Sequence, residues 1–256
     1  MPKLIKNGIF SNNALKIIAA VAMVCDHVGV LIFPDILILR IIGRLSFPIF
    51  AYLIAEGAKH TRNKTRHLIV FASFAAVIQI AYFIIMPPTA GVEPEMSVLV
   101  TFTLSLLMIY ALDEFKKAIF TPIASKRKTV LTALLFALSV ALTVLSDRFL
   151  DLDYGLSGAM LPLFPAIFTT PKMDDPQSVW QKVDTKLVRV ASTALGVIAL
   201  SLDYGHIQFY SLLSIPLLLL YSEKRGKLKM KYFFYIFYPL HLVIIFAIAV
   251  LIRLLK

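Results

Sequence analysis

The chain has 256 residues, 59% hydrophobic and 16% charged, with a mean hydropathy of +0.82 and a formal net charge of +11. A soluble domain would be nearer half apolar and a quarter charged, so this composition excludes a water-soluble globular enzyme. The surplus Lys and Arg lie in short connections between apolar runs, which argues for the lipid bilayer, not nucleic acid, as the partner.

The first apolar run, 14–33, follows Lys3 and Lys6 and contains Asp26-His27. Its length, its polar pair and the lack of an A-x-A site predict a retained first helix, not a cleaved leader. Further runs follow at 36–56, 67–86, 96–112, 129–146, 155–170, 187–202, 206–221 and 232–252. Each is near the roughly 20 residues that span a hydrocarbon core. Pro87-Pro88, Gly91 and Pro94 mark one break. The longest connections, 113–128 and 171–186, are too short to fold alone. The expectation is an all-α, polytopic membrane bundle of about nine helices forming one domain over 1–256. The lone Cys25 forms no intrachain disulfide.

Loop charge alternates along the chain. Lys3 and Lys6 are followed by Asp35, then by Lys59, Arg62, Lys64 and Arg66, then by Glu93 and Glu95. Lys116, Lys117, Lys126, Arg127 and Lys128 come next, then Asp147, Arg148, Asp151 and Asp153. Lys172, Lys182 and Lys186 precede Asp203, and Lys224, Arg225, Lys227, Lys229 and Lys231 precede the last run. The positive-inside rule assigns the basic connections and the N-terminus to the cytoplasm, and Arg253 and Lys256 to the outside.

A carboxylate at the centre of a membrane helix costs about 2.5–3.5 kcal/mol on insertion scales, so Asp26-His27 is the first functional candidate. With a rise of about 1.5 Å per residue, His27, Arg44 and His241 reach similar depths from three different spans. One polar chamber holding all three is the economical reading. Asp26 and His27 differ by about 100° of helix rotation and need not bond each other. Arg40 and Arg44 share a face at i, i+4, and guanidinium suits phosphate or carboxylate. Lys16 lies near the His27 face, three turns closer to the cytoplasm. Glu56-Gly57 leads into Lys59-His60-Thr61-Arg62, a rim for an anionic cofactor. Structural alternatives stand beside these. Asp26 and Arg44 form a pair that joins two spans; His27 is a packed histidine; Lys16 and Arg40 snorkel; Pro239 shapes the helix around His241. His67 and His206 read as surface residues.

Leu152-Asp153-Tyr154-Gly155 and Leu202-Asp203-Tyr204-Gly205 repeat fifty residues apart. They read as a favoured interfacial turn, or as a duplication whose Asp153 and Asp203 line an outer vestibule. An imidazole near pKa 6.5 is a natural base for an amine or hydroxyl. No Walker loop, G-x-G-x-x-G, zinc spacing or G-x-S-x-G is present, so no metal site is expected. These residues point to a transmembrane group transferase or a proton-coupled transporter.

Leu15-Lys16, Met23-x-x-Asp26-His27-x-Gly29, Ile42-Gly43-Arg44-Leu45-Ser46-Phe47-Pro48 through Glu56-Gly57, and Tyr235-x-x-Tyr238-Pro239-Leu240-His241 together resemble the TraX family. It is typified by a protein that N-acetylates conjugative pilin. The resemblance covers most of the chain and departs in Ser97-Val98-Leu99-Val100-Thr101, where an Asn is expected near Ser97. The family is similar in turn to acyltransferase-3 and heparan-α-glucosaminide acetyltransferase-like proteins, which use a membrane histidine and cytoplasmic acetyl-CoA. The resemblance implies an acyl-CoA-dependent acyltransferase of the bacterial cytoplasmic membrane, acting on an envelope acceptor: a protein N-terminus, a saccharide or a lipid. His27 is then the base, Asp26 its orienting partner, Arg44 the holder of the thioester carbonyl or phosphates, and His241 an aid from the opposite wall. Lys16, Arg40, Glu56, Lys59, His60 and Arg62 are the expected donor-binding residues, and Tyr238, Asp153 and Asp203 the acceptor-binding ones. The alternatives are a transporter that relays protons through Asp26 and His27, and a non-catalytic pilus or envelope assembly factor.

Overall fold

The computed structural model describes residues 8–85, 96–120, 125–170, 182–226 and 230–255. The charges at Lys3, Lys6, Glu93, Glu95, Lys172, Lys227, Lys229 and Lys256, the breaks at Pro87-Pro88, Gly91 and Pro94, and the side chains of Lys231 and Tyr235 lie outside the described residues. Among those described, regular structure is helical, and two single backbone bridges join Phe10 to Tyr221 and Met96 to Leu152.

In chain order the helices are α1 (Asn12–Leu31), α2 (Leu37–Gly43), α3 (Ser46–His60), α4 (Lys64–Ile85), α5 (Val98–Phe120), α6 (Lys126–Leu150), α7 (Gly155–Met160), α8 (Leu163–Ile167) and α9 (Lys186–Tyr204). A 3-10 helix (His206–Leu213), α10 (Ser214–Leu219) and α11 (Lys231–Leu254) complete the chain. Seven stretches among the described residues are long and apolar enough to cross a bilayer: α1, Leu37–His60, α4, α5, α6, α9 and the larger part of α11. The chain is thus a multi-pass, all-helical membrane protein.

Two of the nine expected spans, at 155–170 and 206–221, are shorter and broken. Proline is the reason. Pro162 stands at the head of α8, and Pro165 and Pro216 fall in the first turns of α8 and α10. A missing N–H costs nothing there, so each proline starts a helix that it would have interrupted elsewhere.

Contacts divide the chain into two compact units, Met1–Phe50 with Ser201–Lys256, and Ala51–Leu200. In the first unit, Ser11 caps α1 by accepting from the Ala14 amide at 3.2 Å. The Ile9 and Phe10 amides donate to Leu220 O at 2.7 and 3.0 Å, and the Asn12 amide donates to Lys224 O at 2.8 Å. Residues 9–12 therefore meet residues 220–224 at one end of this unit. Helices α1 and α2 cross closely: a Cβ on Gly43 would overlap the Asp26 side chain, and one on Gly29 would lie 3.0 Å from Leu39 Cβ. Small residues let helix backbones approach where lipid supplies no hydrophobic drive.

In the second unit α5 is central, with 56% of its apolar window buried against 17% for α4 and for α6. Leu106, Met108, Ile109 and Tyr110 pack with Ala55, Ala58, Ala159, Leu163 and Ala166. Leu134, Leu138, Leu145 and Phe149 of α6 point outward, as a lipid-covered face requires. Polar stitches run down α5. Thr101 Oγ1 donates to Asp153 O at 3.0 Å and Ser105 Oγ to Ala159 O at 2.7 Å. The buried Lys116 Nζ donates to Ala166 O at 2.6 Å and Thr169 O at 3.1 Å. Ser192 of α9 satisfies Phe164 O at 2.7 Å. Carbonyls freed by the break in α7–α8 are thereby paired inside the protein, which hydrocarbon demands. Thr101 and Lys116 are about 22 Å apart along α5, so 152–169 traverses the unit despite its short helices. Asp151 and Asp153 end up beside Met96, and Lys59, Lys64 and Lys117 beside Thr169 and Thr170. That is the charge segregation alternating loops call for.

Candidate functional site

Asp26 is held by two guanidiniums of the helix it crosses. Arg40 Nη1 donates to Oδ2 at 2.9 Å and Arg44 Nη2 to Oδ1 at 2.6 Å. The i, i+4 spacing puts both arginines on one face, and Gly43 clears the room beside the carboxylate. Arg44, 8% exposed, also donates from Nη1 to Gln208 Oε1 at 3.1 Å, and Gln208 donates on to Ser211 Oγ at 2.6 Å. Both Asp26 oxygens face guanidiniums, and no hydrogen bond joins Asp26 to His27 among the described residues. One helix turn presents Asp26 and His27 in different directions, and the arginines take the carboxylate.

His27 faces His241 of α11, with ring centroids 5.3 Å apart and planes tilted by 41°. His241 stacks on Phe237 at 5.0 Å and meets Tyr238 edge-on at 5.7 Å. Its Nδ1 lies 2.9 Å from Phe237 O. A carbonyl only accepts, so Nδ1 carries a hydrogen, and in the neutral ring Nε2 then holds the lone pair. That Nε2 is buried and has no hydrogen-bond partner among the described residues. The arrangement fixes the tautomer of the neutral ring and leaves Nε2 without a hydrogen-bond partner among the described residues. Lys16 sits at 5.7 Å over the Phe234 ring in the same unit. The exposed His206 matches its expectation.

The second unit carries Glu56, Lys59, His60 and Arg62. The exposed His60 donates from Nε2 to the buried Glu56 Oε1 at 3.0 Å. Lys59 Nζ reaches Asp184 Oδ2 at 3.1 Å, and Arg189 and the Thr170 amide bond the same carboxylate. Burial works to raise the Asp184 carboxyl, but the Thr170 amide and the Lys59 and Arg189 cations outweigh it and hold it below its usual range. Arg189, 3% exposed, also interacts with Tyr52 and Glu56. Gln208, Asp184 and Arg189 were absent from the sequence expectations; a lone Arg early in an apolar span was the one available signal. His67, expected at the surface, is half-buried and hydrogen-bonded to Tyr110 at 2.6 Å. Its helix turns it onto α5.

The repeated tetrapeptide serves the backbone. Gly155 and Gly205 take φ of 54° and 81°, a region that favours glycine. Asp153 is pinned through its own amide and carbonyl to Met96 and Thr101, and Asp203 is exposed in the other unit.

Comparison with known proteins adds identity to this geometry. The model of a family described as TraX protein matches residues 11–249. The chain is 26% identical over 258 residues to the probable fimbrial assembly protein FimC, serogroup H1, of Dichelobacter nodosus, covering 94% of this chain and 96% of that one. It is 35% identical over 66 residues to an uncharacterized protein of Rickettsia prowazekii, covering 26% and 25% of the two chains. No solved structure matches.

Proposed function

The chain belongs to the TraX family, and from that premise we propose that it serves a pilus- or fimbria-related function of the cell envelope by acyl transfer. The donor is an acyl-CoA, acetyl being the expected group, and the acceptor is an amine or hydroxyl of an envelope component. The protein lies in the bacterial cytoplasmic membrane with its N-terminus inside, following the loop charges. The observation that carries the chemistry is His241 Nε2, a buried lone pair whose tautomer is fixed by Phe237 O.

An acyl thioester supplies an activated carbonyl carbon and a sulfur leaving group. Nε2 of His241 removes the acceptor proton as the acceptor N or O bonds to that carbon. The C–S bond breaks, and the imidazolium returns the proton to sulfur. His27, 5.3 Å away, forms the opposite wall and is the second nitrogen donor or acceptor of the pair. Asp26, Arg40 and Arg44 keep α1 and α2 in register beneath it. Both guanidiniums already bind Asp26, so they fit the donor phosphates poorly and favour a positioning role.

The name of the Dichelobacter relative favours a second reading, a non-catalytic fimbrial assembly factor. Full-length protein in nanodiscs is incubated with labelled acetyl-CoA, and envelope and fimbrial proteins of cells carrying each variant are weighed by mass spectrometry. Acyl transfer predicts turnover by the wild type, a loss of about 10²–10⁴ in His241→Ala, and a smaller loss in His27→Ala. A wild type that neither consumes acetyl-CoA nor shifts any acceptor mass, with fimbriation intact in His241→Ala, overturns the proposal in favour of assembly.

A further inference from the structure

We propose that the pocket at the basic end of the second unit binds the phosphate of a phosphorylated ligand, a site that stands whether or not the protein transfers acyl groups. The pocket is about 260 Å³ and its lining includes Lys59, Arg62, Lys64, Lys117 and Thr170, with Asp113 the single carboxylate among the described lining residues. These cations arrive from the end of α3, the turn after it, the start of α4 and the far part of α5. The fold gathers them from three helices at one mouth.

The ammonium groups are held in place by carboxylates. Lys59 is bonded to Asp184, Lys64 to Asp113 at 3.0 Å and Glu114 at 3.2 Å, and Lys117 to Glu114 at 2.8 Å. Their side chains are 24–30% exposed, so bulk water and salt screen them less than free surface lysines. Lys59 directs its ammonium at one carboxylate and keeps a donor for another acceptor.

Two lining groups have no partner among the described residues. Arg62 makes no hydrogen bond or ion pair, and its guanidinium is the fork that suits a phosphate. Thr170 Oγ1 is buried without a hydrogen bond, while the Thr170 amide is spent on Asp184. An orphaned buried hydroxyl beside an unpaired guanidinium calls for an oxygen-rich anion. Size sets which part of the ligand enters. The volume equals about nine waters at ~30 Å³ each, and it falls below the ~300–1,000 Å³ of pockets that enclose drug-sized ligands. A phosphate or diphosphate group fits, and the organic remainder stays outside.

Two sources carry that chemistry, a soluble organic phosphate and an anionic lipid headgroup. Full-length protein in phosphatidylcholine nanodiscs is titrated calorimetrically with 3′,5′-ADP and with inorganic diphosphate. In parallel, nanodiscs containing phosphatidylglycerol are analysed for retained lipid by native mass spectrometry. Binding of either soluble probe, weakened tenfold or more by Arg62→Glu and severalfold by Thr170→Val, supports the site with a soluble source. Retained phosphatidylglycerol, lost in Arg62→Glu, supports it with a lipid source. Absence of both, or binding indifferent to both variants, overturns it. Arg62 is exposed and unpaired, so an unchanged unfolding midpoint in Arg62→Glu separates lost binding from lost fold. His241→Ala leaves phosphate binding unchanged, so a failed acyl transfer and a failed phosphate site are told apart.

Discussion

The Asp26 bed of the first unit and the basic pocket of the second use the same side chains to different ends. In the bed, one carboxylate faces two guanidiniums, and Gln208 takes a further N–H of Arg44. Arg44 is 8% and Gln208 1% exposed, so this charge is consumed within the protein and serves as scaffold. Beside this bed the first unit sets the imidazoles of His27 and His241 against each other. In the pocket, carboxylates hold three lysines from one side, while Arg62 and the Thr170 hydroxyl have no partner among the described residues. Charge locked in pairs fixes helices; charge left over recognises ligands.

The sharpest way to break this contrast is Asp26→Ala. It strands two guanidiniums beside a bilayer, and removal of one partner from a buried ion pair costs about 3–5 kcal/mol. Denaturant unfolding in detergent should register that loss, whereas Arg62→Glu should leave stability unchanged. Equal effects in the two variants would refute the division between scaffold and recognition.

Asp184 comes next. Loss of its charge-assisted bonds in Asp184→Asn should cost about 1.5–3 kcal/mol at neutral pH. The Asp184 carboxyl is depressed in the folded protein. Its contribution is therefore complete above the unfolded value near 3.9 and disappears as pH falls through the lower folded value. Unfolding midpoints of wild type and Asp184→Asn, compared from pH 7 to pH 3, should converge only below about 4. Convergence already at pH 6 would mean that another group governs the cluster.

Gly43→Ala tests the bed from its backbone side. The added methyl would overlap Asp26, and overpacking of this kind costs about 1–3 kcal/mol. It should also lower turnover by displacing His27, which follows Asp26 on α1. A variant with full stability would show that α1 and α2 part easily, and that the close crossing is not what sets the bed.

The two sites differed in how far the sequence could reveal them. Asp26, Arg40 and Arg44 were legible because each is a charge inside an apolar run and the arginines keep helical spacing. His241 stood out in the same way, and the long spans followed from hydropathy. The partners of the second unit come from afar: Lys64 and Asp113 are 49 residues apart, and Lys59 and Asp184 are 125 apart. Gln208 reaches Arg44 across 164 residues. No local pattern encodes such pairs, since they depend on which helices become neighbours. The two broken spans escaped for a related reason. Pro162, Pro165 and Pro216 were visible, but the donors that pair the carbonyls of the first broken stretch, Lys116, Ser105 and Ser192, come from other helices.

The smallest effect on stability should give the finest test of the pocket. Glu114 is 47% exposed and bonds both Lys64 and Lys117. A screened pair of this kind contributes about 0.5 kcal/mol, and Lys64 retains Asp113 in Glu114→Gln. Unfolding should therefore barely change. Binding should change more: Lys117 loses its carboxylate and a negative charge leaves the rim, so affinity for inorganic diphosphate should rise severalfold and the gain should fade as salt is added. A Glu114→Gln protein that binds the anion no better would mean that the lysines are structural and that Arg62 alone faces the ligand.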